Sequence, residues 1–191
     1  MQKLPIGLSD FKELRERGYY FVDKTELIAE IINENNKVLL IPRPRRFGKT
    51  LNLSMLKYFF DINENAKDLF KGLKIENLPE FTHQGKYPVI FLTFKDLKEP
   101  DFDKFLWAIS DIISDAYKTH KQALMKLNLD KVETQEIETI LAKQANYGLL
   151  VSSLKKLSKY LSEAYQVNPI ILLDEYDTPI HAGWLEGYYN E

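Results

Sequence analysis

An apolar run that ends abruptly in glycine, lysine and threonine limits the fold of this chain more than any other feature. Residues 38–50 read Val-Leu-Leu-Ile-Pro-Arg-Pro-Arg-Arg-Phe-Gly-Lys-Thr, and Leu53, Leu56, Phe59 and Phe60 then recur at helical spacing. A strand that passes through a tight loop into a helix aims backbone N–H groups and the positive helix end at one point. There Lys49 can reach polyphosphate oxygens and Thr50 can ligate magnesium. The glycine that usually opens such a loop is replaced by Arg43, whose side chain must point away from the phosphates. The bland alternative for Lys49 is a solvated lysine on a first helical turn, a poor place for a cation without an anion nearby.

The flanking sequence predicts alternating helices and strands. Asp10 followed by Glu13 resembles a capping box, and Gly18 is a stop, so 10–17 reads as a short helix. Tyr19 to Val22 reads as a short strand or extended segment, and Thr25 as the cap of a second helix faced by Leu27, Ile28, Ile31 and Ile32. Lys37 to Ile41 is predicted as a buried strand, and Gly48, Lys49 and Thr50 fall in the first turn of the next helix. Val-Ile-Phe-Leu-Thr-Phe at 89–94 is a continuous apolar run suited to a strand of a sheet covered on both faces, and Ile-Ile-Leu-Leu-Asp-Glu at 170–175 reads as a further buried strand ending in two carboxylates. Strong amphipathic patterns include Phe102, Phe105, Leu106, Ile109, Ile113 and Ala116, and later Leu150, Leu154, Leu157 and Leu161. The segment 118–146 between them is more polar and mostly helical. With no repeat or flexible linker, one α/β domain with a mostly parallel sheet flanked by helices is expected.

The strand ending at Asp174 and Glu175 supplies the second piece of chemistry. A carboxylate at the end of an apolar strand can hold magnesium, commonly through a water, while its neighbour polarises an attacking water. Asp174 suits the first role and Glu175 the second; a solvated pair of loop acids is the alternative. Strand alternation would send the two side chains to opposite faces unless the strand end bends. Asp177 reads equally as a supporting group or as an ordinary cap before Pro179. Arg43, Arg45 and Arg46, stiffened by Pro42 and Pro44, can stabilise charge on a transferring phosphoryl group, grip a nucleic-acid backbone, or pair with nearby acids. Phe47 reads as a packing residue rather than a base-stacking one.

Composition removes other classes. The 191 residues, 45% of them hydrophobic, can bury a real core. A net charge of -2 gives no global basic field for nucleic acid, so anion binding must be local. The absence of cysteine excludes disulfides, thiolate metal sites and a cysteine nucleophile. His83, His120 and His181 have no ligand-pair spacing, and no Gly-x-Ser-x-Gly is present. A cytoplasmic protein with no membrane span is expected.

Taken together, residues 5–25, the loop Arg-Pro-Arg-Arg-Phe-Gly-Lys-Thr-Leu and the stretch Leu-Leu-Asp-Glu-Tyr-Asp-Thr-Pro-Ile resemble the predicted AAA-ATPase-like domain family of P-loop NTPases. The resemblance covers nearly the whole chain. In that family arginine takes the place of the first loop glycine, which accounts for Arg43. It implies an ATP- and magnesium-binding hydrolase. The nucleotide would lie against Arg45, Arg46, Phe47, Gly48, Lys49, Thr50 and Leu51 of the Walker A loop. The metal would lie at Thr50 and at Asp174 of the Walker B strand, and Lys49 and Glu175 would be the catalytic residues. The motif Asp23-Lys24-Thr25 is expected near the nucleotide or the adjoining strand. Family members typically continue into further strands and often a nuclease-like domain of the PD-(D/E)XK type, so residues 1–191 are expected to be the N-terminal portion of the P-loop domain, incomplete at the C-terminus. Hydrolysis would belong to the complete domain; the alternative is a non-catalytic nucleotide-binding switch or interaction module.

Overall fold

The computed structural model describes residues 3–34, 36–42 and 47–189. Arg43, Arg45 and Arg46, with Pro44, lie outside the described residues. The chain divides into two units, Met1–Val89 and Ile90–Glu191.

In the first unit, α1 (Phe11–Glu16) starts as its sequence predicts, with the Asp10 side chain accepting from the Glu13 N–H at 2.8 Å. It ends at Gly18, whose φ of 64° is accessible to glycine at little cost. Residues 19–22 belong to no helix or strand. α2 (Glu26–Glu34) follows Thr25, and α3 (Lys49–Phe60) carries Lys49 and Thr50 in its first turn. Phe11, Leu14, Met55, Phe59, Phe70 and Ile75 form a largely aromatic interior in which Phe59 and Phe70 meet edge to face at 5.2 Å. Arg15 fastens α1 to the turn after α3, donating to the carbonyls of Leu69 and Lys71 at 2.7 and 2.8 Å. The buried aromatic residues of this unit therefore serve packing, as their apolar stripes predict.

One expected element is missing from this unit. Residues 36–42 form no strand, and Val38 and Leu40 are 87% and 63% exposed. The prediction of a buried strand over 37–41 is corrected for a physical reason. A strand needs a neighbour for its N–H and C=O groups, and no described strand pairs with this run. An apolar run reports a preference for burial, and the partner must come from elsewhere in the chain.

The second unit holds the sheet, although β1 (Val89–Thr93) begins at the boundary residue. β1 pairs with β2 (Ile170–Asp174) in a two-stranded parallel sheet. A parallel pair requires a crossover, here α4 (Phe102–Thr119), α5 (Lys121–Leu124), α6 (Lys131–Leu141) and α7 (Tyr147–Tyr165). α4 packs on α6 and α7, burying Ile113, Tyr117, Ile140, Leu157 and Leu161 with Ile90 and Leu92 of β1. Three of these helix starts have a side-chain cap: Asp101 for α4, a full capping box of Asp130 and Glu133 for α6, and Asn146 for α7. The Tyr117 hydroxyl donates to the Ser153 carbonyl at 2.9 Å, so the largest buried polar side chain of this core is satisfied. The chain ends with α8 (Thr178–Glu186).

β2 corrects a second expectation. Leu172 and Asp174 are buried, whereas Ile171 and Leu173 on the opposite face are each 44% exposed. The strand is covered on one face, not two. The architecture is helix-rich α/β with a small parallel sheet.

Candidate functional site

α3 begins where the sequence places the phosphate-facing turn. Its N-cap is Gly48, with φ 73° and ψ 24°, and no side chain caps the helix. A Cβ at Gly48 would meet nothing within 4 Å, so glycine is required there by the left-handed backbone and not by space. The Gly48 carbonyl accepts the Asn52 N–H at 2.9 Å and closes the first turn. The earlier N–H groups, which no helix can satisfy internally, face outward with the positive end of the helix dipole. Lys49, Thr50 and Leu51 are half-buried on this turn, and Lys49 forms no ion pair among the described residues. Phe47 just before them is 60% exposed, so the packing role expected of it is not seen.

In the second unit the end of β2 carries the acidic pair. Asp174 is 2% exposed, and its Oδ2 has no hydrogen-bond partner among the described residues. A buried, unsatisfied carboxylate oxygen is costly in a structural role and calls for a ligand. The strand bends immediately afterwards: Glu175 has φ 52°, a left-handed conformation that costs a non-glycine residue about 1–2 kcal/mol. This bend falls where strict alternation would have separated the two carboxyl groups. Glu175 is half-buried, accepting from the Thr178 hydroxyl at 3.4 Å and, through its carbonyl, from the Thr178 N–H at 3.0 Å. Asp177 stands at the start of α8 without capping it, its carboxylate 3.9 Å from His181 Nε2.

The Asp23-Lys24-Thr25 motif does something the sequence did not foretell. Asp23 Oδ1 accepts from the Thr25 N–H and hydroxyl at 2.9 and 2.7 Å, and its Oδ2 accepts from the Lys74 N–H at 2.8 Å. Thr25 Oγ1 accepts from the Ile75 N–H at 3.1 Å, so this hydroxyl serves the 74–75 turn rather than the start of α2. Burial pulls the Asp23 pKa up, but the hydrogen bonds from Thr25 and Lys74 outweigh it and hold the carboxyl below its ordinary value. The motif fastens α2. Among the described residues no cluster of His, Asp and Glu could hold a metal by itself, and no helix is long and apolar enough to cross a membrane.

The family model described as predicted AAA-ATPase matches residues 5–191. The chain belongs to this predicted AAA-ATPase family. A relative from Azotobacter chroococcum mcd 1, named an uncharacterized protein in the vnfD 5' region, is 29% identical over 180 residues. That match takes in 94% of this chain and 30% of the relative, so the chain spans less than a third of the length of the relative it matches. No solved structure matches. The family match runs through both units and includes the Gly48–Leu51 turn and the Asp174–Glu175 strand end.

Proposed function

We propose that the two units serve one P-loop nucleotide-binding domain that takes ATP with magnesium. The observation that carries this reading is the opening of α3, a left-handed glycine N-cap with no side-chain cap, followed at once by Lys49 and Thr50. In this reading the first-turn N–H groups and Lys49 bind the β- and γ-phosphates, with Leu51 and Phe47 flanking them. Arg45 and Arg46, which precede this turn in the sequence, supply positive charge for the phosphates in this reading.

Thr50 offers a hydroxyl and Asp174 a buried carboxylate oxygen without a partner among the described residues, each a hard oxygen donor of the kind magnesium prefers. When bound, magnesium supplies charge neutralisation on the phosphate oxygens. Glu175, held by Thr178 in a backbone conformation that turns it off the strand, orients a water for in-line attack.

Titration calorimetry with magnesium and ATP tests this assignment. Lys49→Ala should abolish binding, whereas Glu175→Gln should bind ATP as wild type does and lose any turnover. Equal affinity of wild type and Lys49→Ala would sink the proposal.

A second reading, a nucleotide switch without hydrolysis, is favoured by residues 36–42, which anchor the loop in no described strand. It predicts ATP binding without phosphate release. Steady release that Glu175→Gln eliminates would exclude it.

A further inference from the structure

The segment beginning at Asp10 is the sequence motif that the nucleotide chemistry leaves unused. In the structure the Asp10 carboxylate binds on both sides. Oδ1 caps α1, while Oδ2 accepts from the Tyr58 hydroxyl at 3.1 Å and the Ser54 hydroxyl at 3.3 Å. Ser54 Oγ in turn accepts the Phe11 N–H at 2.9 Å. Ser54 and Tyr58 are four residues apart on α3, and Thr50 lies four residues before Ser54, so all three share one stripe of the helix. The grip is reinforced at Tyr58. The ammonium groups of Lys12 and Lys57 lie 5.9 and 5.2 Å from the centre of its ring, and both lysines approach Glu64 at about 4 Å. Burial and the adjacent Asp10 carboxylate raise the Tyr58 phenol above its ordinary pKa, which keeps it a donor.

We infer that Asp10 is a positioning residue for the nucleotide site, fixing the rotation of α3 through Ser54 and Tyr58 and so the direction of Thr50 and the first-turn N–H groups. The inference rests on the nucleotide reading above. Among the described residues no side chain caps Gly48 and residues 36–42 supply no strand to hold the approach, which leaves the hydrogen-bonded flank to act on that end of the helix. The rotation of α3 is set from its flank, at a hydrogen-bonded stripe one and two turns beyond Thr50. A shift of roughly 1 Å at a positioned group can cost about a hundredfold in function, so loosening this stripe should register at the phosphates.

The test uses the 191-residue chain and magnesium ATP, measured by calorimetry well below the unfolding midpoint. Tyr58→Phe keeps the ring and both lysine contacts and removes only the hydroxyl; it should weaken ATP by about tenfold. Ser54→Ala should behave likewise, with Ser54→Thr, which restores a hydroxyl, recovering affinity. Exchange of the Asn52 amide, which closes the first turn of α3, should quicken in Tyr58→Phe while the exchange of the Phe59 and Phe60 amides stays slow, which also shows that the variant is folded. A lowered unfolding midpoint with wild-type ATP affinity in both variants would overturn the inference and leave the nucleotide reading standing. Failure of the wild-type chain itself to bind ATP would overturn the nucleotide reading, and the inference with it.

Discussion

Two apolar runs of similar composition, Val38-Leu39-Leu40-Ile41 and Ile170-Ile171-Leu172-Leu173, take different paths. The second is a strand paired with β1, and the first is an exposed segment without strand structure. Neither hydropathy nor β-propensity separates them, since both are rich in the residues that strands favour. The difference lies in their neighbours. β2 lies beside β1, and β1 is buried by the helices of the crossover, so pairing and burial come together at Leu172. The 38–41 run has α2 before it and α3 after it in the chain, but no described strand offers it hydrogen bonds. An apolar run becomes a strand only where another part of the chain supplies both a ladder and a cover.

This comparison can be broken by truncating one leucine in each run. Leu172→Ala should cost about 2–5 kcal/mol, through lost burial and the cavity it leaves. Leu40→Ala, at an exposed position, should change stability by no more than about 0.5 kcal/mol. Urea unfolding of the two variants beside wild type measures both. A large loss for Leu40→Ala would show that the 38–41 run is buried in solution and that the contrast between the runs is wrong.

The same contrast marks what could be read from sequence. Helices were legible because their signals are local. Asp10 with Glu13, the 3.6-residue stripes of α4 and α7, and a glycine directly before Lys49 each specify an element within a few residues. Strand pairing was not, because β1 and β2 are joined by a long, mostly helical crossover and, among the described residues, β1 is the one strand beside β2. At the candidate site, the first turn of α3 and the strand end at Asp174 lie where the motifs place them. The exposure of Phe47 and the bend at Glu175 depend on tertiary surroundings and left no periodic trace. Two polar motifs were visible as patterns yet opaque in role. Asp10 meets Ser54 and Tyr58, and Asp23 meets Lys74, over separations of 44 to 51 residues that no local spacing encodes.

The end of β2 offers a subtler way to sharpen the comparison. If this strand exists to present Asp174 to a ligand, the buried Oδ2, without a partner among the described residues, is a cost that the fold tolerates for function. Replacing the carboxylate by a neutral amide removes the expense of a buried charge, which exceeds that of a buried neutral polar group. Asp174→Asn should therefore leave stability without magnesium unchanged or raise it by about 1 kcal/mol. The added stability that wild type gains from magnesium and ATP, about 2.7 kcal/mol at a hundredfold excess over Kd, should disappear. Thermal unfolding with and without the ligand pair separates these effects. A marked loss of stability in the unliganded variant would make Asp174 a structural residue and remove the functional reason for the strand's end.

The smallest expected effect concerns what holds the unpaired run in place. With no described strand to anchor it, 36–42 depends on its flanks, and α2 on one side is fastened by Asp23 to the Lys74 N–H and by Thr25 to the Ile75 N–H. Hydrogen bonds from Thr25 and Lys74 more than offset the opposing effect of burial and keep the Asp23 pKa below that of the unfolded chain. The folded state thus favours the ionised carboxylate. Its contribution is complete above the unfolded value, about 4, and is lost as pH falls through the lower folded value. Asp23→Asn should accordingly be less stable than wild type at pH 6, and the gap should close as the solution is taken toward pH 3. Exchange of the Ile31 and Ile32 amides of α2, corrected for the intrinsic pH dependence, should rise in wild type over the same interval and be flat in the variant. A stability gap that stays constant with pH would mean that Asp23 acts through its shape alone, and that the flank of the unpaired run owes nothing to its charge.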